Sequence, residues 1–353
     1  MEYDDVLLEF DTQGNIVETK SQIDQLFNEV ESYRNSKDFL KILDFCVTFK
    51  QHAPFNAALI KMQLPGCRYA LTKTEWWERY HRALVDYPRP LFFLNHSPIG
   101  ALYDISDTMS VGDDGWRDQD ILEQVAHPFS ANPTFNERLL RNLLGNLPYF
   151  GIDLDTRMNA ADSVAANISL AYGEGRLHYT YRQQRTSVKC LLPYMIRLNK
   201  HLPPVAQFTS VCHELGHFFC HHLPPLDESW WKARRPDSKV MEFEAECATY
   251  LVCRRAGVND TRSAEYLAHY TESNGKIPRN ISIETIMKAA AQIERMFGEM
   301  NYTEGLLYKK DQRFRAQIED HNKRLRAKAR KAARDAKERE RAESNLFENQ
   351  DPL

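Results

Sequence analysis

TSVCHELGHFFCHHL, residues 209–223, holds four of the chain's 12 histidines. Pro203 and Pro204 stand where a helix begins, and from Val205 onward the apolar spacing is helical, so the stretch is predicted as one helix. His213 and His217 are four apart and stack on one face, where each can direct a ring nitrogen at the same point. Glu214 is turned by about 100° from His213, which brings a carboxylate beside that point. His221 continues the series, but one straight helix cannot wrap three such rings around a single ion, and the third would lie about 6 Å farther along the axis. His221 and His222 therefore read as end-of-helix residues, favoured there by the terminal dipole.

His213, Glu214 and His217 form an HExxH arrangement, the pattern of zinc peptidases: two imidazoles hold the ion, and the Glu takes a proton from a water and passes it to a leaving amine. Gly216 lets a neighbouring element approach this helix. The third ligand must come from elsewhere. The metzincin pattern needs Gly and His where this chain has Cys220 and Leu223, so that class is excluded. A downstream helix, MEFEAECATYLV (241–252), offers Glu242 and Glu246 on one face: Glu242 can bind the metal while Glu246 accepts a hydrogen bond from a ligating imidazole. Glu244 lies on another face and is not assigned as a ligand. Without the HELGH helix, the three glutamates would read as the solvated side of an amphipathic helix.

The remainder of the chain frames this site. At 353 residues it can bury a sizeable core without disulfides, and its 42% hydrophobic and 11% aromatic content are those of a folded protein. The N-terminus, MEYDDVLLEF, lacks the features of a secretory signal, and no apolar run reaches the roughly 18 residues needed to span a bilayer. Seven scattered cysteines without a CxxC fit buried free thiols in a reducing compartment. A cytoplasmic protein without membrane contact is expected. Charge is polarised: Lys309 to Glu343 carry 14 Lys/Arg against 7 Asp/Glu, although the whole chain has net charge -3.

Periodicity organises the chain into three segments. Residues 1–115 read as a small α+β module: a helical stretch from Ser21 to about Met62, stopped by Pro65 and Gly66, then short β runs at 68–72, 89–94 and 100–106 around a helix at TEWWERY. Residues 116–308 restart at Asn132 and Pro133 with a helix (FNERLLRNLLGNL), strands around 178–182 and 194–199, the HELGH helix, and helices at Val240 to Ala256, Arg262 to Ser273 and Ser282 to Met300. The loop LPPLDESWWKARRPDSK separates the HELGH helix from the glutamate helix. Residues 309–353 read as a long, charged, solvated helix with a disordered end. The predicted fold class is α+β, mainly helical with a small sheet.

The paired stretches FTSVCHELGHFFCHHL and EFEAECATYLVCRRAG resemble the ImmA/IrrE-type metallopeptidases, with weaker echoes in SAEYLAHY and IPRNISIETIMKAAAQIERM. The resemblance covers roughly residues 135 to 300. It implies a zincin-like domain that cuts one specific protein, often a DNA-bound repressor, with His213, His217 and Glu242 on Zn²⁺ and Glu214 as general base. The upstream stretch PFNAALIKMQLPGCRYALTKTEWWERY is similar to the N-terminal region of ArdC-like antirestriction proteins, a region associated with single-stranded DNA binding.

The leading expectation is thus a zinc-dependent endopeptidase acting on an intracellular protein. The alternative is a nucleic-acid-binding or antirestriction-type protein with a structural metal, contacting nucleic acid through the basic tail and a smaller patch at Trp230, Trp231, Lys232, Arg234 and Arg235. Tyr179 and Tyr181 lie on the strand upstream of the HELGH helix. In zinc peptidases an edge strand commonly pairs with the extended substrate and a Tyr, His or Arg supports the oxyanion, and the sequence does not single out the residue that does so here.

Overall fold

A computed structural model describes residues 9–10, 16–17, 36–93, 100–126, 135–158, 164–258, 277–298 and 300–348. The protein is α+β, mainly helical with small sheets, as the sequence predicts. It divides into two compact units. One comprises Met1–Leu143, Asp155–Ser169 and Ile196–Glu299, and the other comprises Leu144–Leu154, Leu170–Met195 and Met300–Leu353. Among the described residues no helix is long and apolar enough to cross a membrane. All seven cysteines are buried free thiols.

In the first unit the helical stretch predicted to reach Met62 splits into Ser36–Thr48 and Pro54–Gln63. Pro54 explains the break: its ring cannot continue a preceding helix but suits the first turn of a new one. The predicted residues 21–35 lie outside those described. The three short β runs become the strands Ala70–Leu71, Gly100–Asp104 and Leu91–Phe93, which pair antiparallel in that order, with Leu71 opposite Tyr103 and Leu91 opposite Leu102. The intervening helix, Lys73–Tyr80, starts at a capping box in which Thr72 and Glu75 satisfy each other's backbone N–H groups. Its Trp76 is fully buried and donates its indole N–H to Tyr103 O at 2.8 Å.

The core that carries the site is built from three helices of the same unit: the HELGH helix Pro204–Phe219, the glutamate helix Ser238–Arg255 and Ile283–Phe297. They pack on one another. Asp237 and Ser282 cap the second and third through their side-chain oxygens. The glutamate helix buries a continuous run from Phe243 to Cys253, the mark of a helix enclosed on nearly all sides. A Cβ on Gly216 would meet Ala245 Cα at 2.9 Å and its carbonyl oxygen at 2.9 Å, so glycine lets these two backbones touch. Arg255 joins the core to the N-terminal helices by bonding Glu294 and the carbonyls of Cys46 and His52. The predicted helix at 262–273 lies outside the described residues, as do Asn132 and Pro133.

The second unit is organised by a long hairpin. Its strands, Ala166–Tyr181 and Gln184–Leu198, run far beyond the two short predicted strands, and a further strand, Ile152–Asp155, pairs with the second of them. Residues 170–181 and 184–195, the part of each long strand next to the turn, belong to this unit. The two-residue turn has positive φ at both Arg182 (47°) and Gln183 (65°), the primed geometry that matches strand twist. Two features hid the strand in the sequence: Gly173 and Gly175 are weak strand formers, and Tyr172 has φ 49°. Leu192 fills the space that a side chain at Gly175 would take. The tail helix, Gln312–Glu348, docks Phe314, Ile318 and Asn322 and runs exposed beyond them.

Candidate metal centre

The four-residue spacing and the close helix contact at Gly216 bring three side chains together. His213 Nε2 lies 3.2 Å from His217 Nε2 and 3.3 Å from Glu242 Oε2, and His217 Nε2 lies 3.5 Å from Glu242 Oε1. A tetrahedral ion with bonds of about 2.0–2.1 Å separates its ligands by about 3.3–3.4 Å. The triangle therefore has the size of one face of a zinc coordination tetrahedron, and its two nitrogens and one carboxylate are ordinary zinc donors. The residues fit the metal that the sequence implies.

Both imidazoles are held from behind. His213 Nδ1 lies 3.2 Å from Glu246 Oε2, so with Nε2 directed at the centre its Nδ1–H donates to that carboxylate. Burial disfavours the charged form of His213. The hydrogen bonds to Glu242 and Glu246 and the nearby charge of Glu214 outweigh it and push the imidazole up to about 10. Hydrogen bonds from His213 and His217 hold Glu242 well below the usual carboxylate range. The pocket thus favours positive charge at its centre.

His217 is supported by residues that the sequence analysis assigns to other roles: His222 to the helix end, Glu244 to another helix face and Arg234 to a basic patch. Its Nδ1 lies 3.0 Å from His222 Nδ1, and His222 Nε2 lies 2.8 Å from Glu244 Oε2. Glu244 is fully buried. It accepts two bonds from the Arg234 guanidinium at 2.6 and 2.8 Å and one from Ser282 N at 2.6 Å. One proton pattern satisfies the chain: His217 Nδ1–H donates to His222, whose Nε2–H donates to Glu244. Burial keeps His222 below the ordinary histidine range, consistent with a neutral ring.

The backbone at this end is a Schellman motif. His221 N bonds Phe218 O, His222 N bonds His217 O, and His221 occupies the left-handed position (φ 60°) where glycine is usual. The prediction that both histidines end the helix is right for the backbone and wrong for the side chains. His222 turns inward to His217. His221 stacks on Trp231 with centroids 5.4 Å apart, and burial beside Arg234 lowers it to about 4, so it offers no positive charge to the helix dipole.

Glu214 Oε2 accepts a 2.8 Å bond from Ile168 N, at the start of the first long strand. Burial lifts this carboxyl above its ordinary range, against the pull of His213, His217 and the Ile168 amide. A poised, oriented carboxylate of this kind suits proton transfer. The two strand tyrosines do other work within the second unit: the Tyr179 hydroxyl donates to Asn322 Oδ1 at 2.8 Å, and Tyr181 OH bonds Arg326. The smaller basic patch suggested by the loop is largely internal. Trp230 is buried, Trp231 packs on Phe218 and His221, and Arg234 is paired with Glu244.

A three-helix core with an HExxH helix and a glutamate helix defines a site of the metallopeptidase type. Residues 168–294 match the model of the M78 peptidase family, described as the IrrE N-terminal-like domain. The matched region begins at the residue whose amide holds Glu214 and includes the first two core helices and most of the third, which supports a metal-dependent peptidase function. No curated protein and no solved structure gives a significant match.

Proposed function

We propose that this chain is a zinc-dependent endopeptidase that cuts a specific intracellular protein. The observation that carries the reading is the 3.2–3.5 Å triangle of His213, His217 and Glu242 with the oriented carboxylate of Glu214 beside it. Zinc, when bound, supplies a Lewis acid that polarises a carbonyl and lowers the pKa of water. Glu214 accepts the proton of the attacking water at its carboxylate and delivers it to the leaving amine, and the Ile168 amide keeps that carboxylate in place meanwhile. Glu246 and His222 fix the ring orientations of His213 and His217.

The resemblance to ImmA/IrrE-type peptidases favours a single regulatory substrate, such as a DNA-bound repressor, over general digestion. Glu214→Gln is the direct test. It keeps the size and the hydrogen bond from Ile168 but removes the base, so the variant should retain zinc and lose cleavage by at least 100-fold, within the usual range for a general base. A variant that holds zinc and still cleaves at the wild-type rate would remove Glu214 from the role. The substrate for this assay is found by comparing proteomes of producing cells with wild type and Glu214→Gln.

A further inference from the structure

The tail helix does more than carry net charge. From Lys323 to Arg341 it has ten basic residues and three acidic ones. On a helix turning about 100° per residue, Lys323, Arg326, Arg330, Arg334, Lys337 and Arg341 fall within about 80° of arc. Asp335, Glu338 and Glu340 all fall outside that arc. The six basic side chains are exposed and follow one another at three- and four-residue steps, so a single-sign seam runs for about 27 Å at 1.5 Å per residue. Arg334 has its acidic neighbours only at 3.7–4.0 Å, and its side chain is 71% exposed.

The seam also continues onto the hairpin of the same unit. Arg326 bonds Tyr181 OH, and the guanidiniums of Arg326 and Arg182 lie 5.5 and 5.9 Å from the centre of the Tyr181 ring. Arg182 sits in the two-residue turn, and Arg185 follows it. The end of the helix nearest its docked residues is therefore fixed to a second basic element.

We infer that this seam is a nucleic-acid backbone site, contacting successive phosphates without reading sequence. Charge complementarity selects a polyanion, since one cation per helical turn, repeated for five turns without an intervening acid, offers a row of like charges to a row of phosphates. A membrane surface fits less well. Between Arg326 and Arg341 the uncharged residues are all alanines, so the helix lacks the bulky apolar face that would enter a bilayer. Tyr181 adds an aromatic ring beside the seam, a feature that nucleic-acid sites use for stacking. The inference is independent of the peptidase reading.

The test uses the full chain and a fluorescein-labelled 20-base-pair duplex, with the corresponding single strand alongside, followed by anisotropy from 50 to 300 mM salt. Six phosphate contacts predict that log K falls against log salt with a slope of about -5 for duplex or about -4 for single strand. The triple variant Arg330→Gln, Arg334→Gln, Lys337→Gln should weaken binding at least tenfold and reduce the slope by about 2–3. A second triple variant, Arg324→Gln, Lys328→Gln, Arg339→Gln, removes the same charge from the far side of the helix and should lose less than threefold. Both keep good helix formers at exposed positions, and circular dichroism checks that each remains folded. Absence of binding at 50 mM salt, equal weakening by the two variants, or tighter binding to vesicles of 30% anionic lipid than to either oligonucleotide would overturn the proposal.

Discussion

His221 and His222 follow each other at one helix end and meet different surroundings. His222 lies between His217 and Glu244, whereas His221 stacks on Trp231 beside Arg234. His221 is lowered to about 4 in the folded protein, against an ordinary value of 6.5. The unfolded chain therefore binds the extra proton first as pH falls. The stabilisation is fully present above pH 6.5 and is lost as pH falls toward 4, amounting to up to about 2–3 kcal/mol by pH 4.5. Urea unfolding of metal-free wild type and His221→Asn at pH 7 and pH 4.5 measures it. The variant, which keeps a residue tolerant of positive φ, should lose less stability between the two pH values by about that amount, and an identical loss would refute the assignment. Arg234→Met leaves Glu244 as a buried carboxylate short of its main counter-charge, and should cost about 3 kcal/mol in the same assay at pH 7. Neither effect was legible in the sequence. The distances between residues 217, 222, 234 and 244 depend on how a proline-rich loop folds back, which spacing does not record.

At the scale of elements, the HELGH and glutamate helices were legible because their chemistry obeys helical spacing. His213 and His217 repeat at four residues, as do Glu242 and Glu246, and the structure brings both pairs to one place. The split at Pro54 and the long hairpin were not read correctly. In the first, helical periodicity continues across a backbone break that one proline imposes. In the second, two glycines and mixed polar residues mask strand alternation, and pairing with a partner strand overrides local propensity. The contact at Gly216 gives a prediction that belongs to this scale. Gly216→Ala would drive a methyl group into the backbone of Ala245, so the two ligand-bearing helices must move apart. Overpacking should cost about 1–3 kcal/mol and weaken zinc retention more than a surface Gly→Ala such as Gly145→Ala. Competition with a chromogenic chelator reads the second effect, and unchanged affinity would show that the close approach does not set the ligand triangle.

For the whole molecule, the division into units escaped the sequence reading because each unit is assembled from segments far apart in the chain. The tail helix was visible as charge, but its docking through Phe314, Ile318 and Asn322 and the placement of Arg326 on Tyr181 require the folded hairpin. The candidate metal centre, by contrast, joins two helices whose motifs can be recognised separately. Its central claim is that His213, His217 and Glu242 together hold one zinc, with Glu246 acting through His213. Elemental analysis of zinc-loaded, desalted protein is the most direct measurement. Wild type should retain one zinc per chain, Glu242→Ala should retain essentially none, and Glu246→Ala should bind about 10–100-fold more weakly. Wild type without zinc, or a Glu242→Ala protein that retains a full equivalent, would contradict the account.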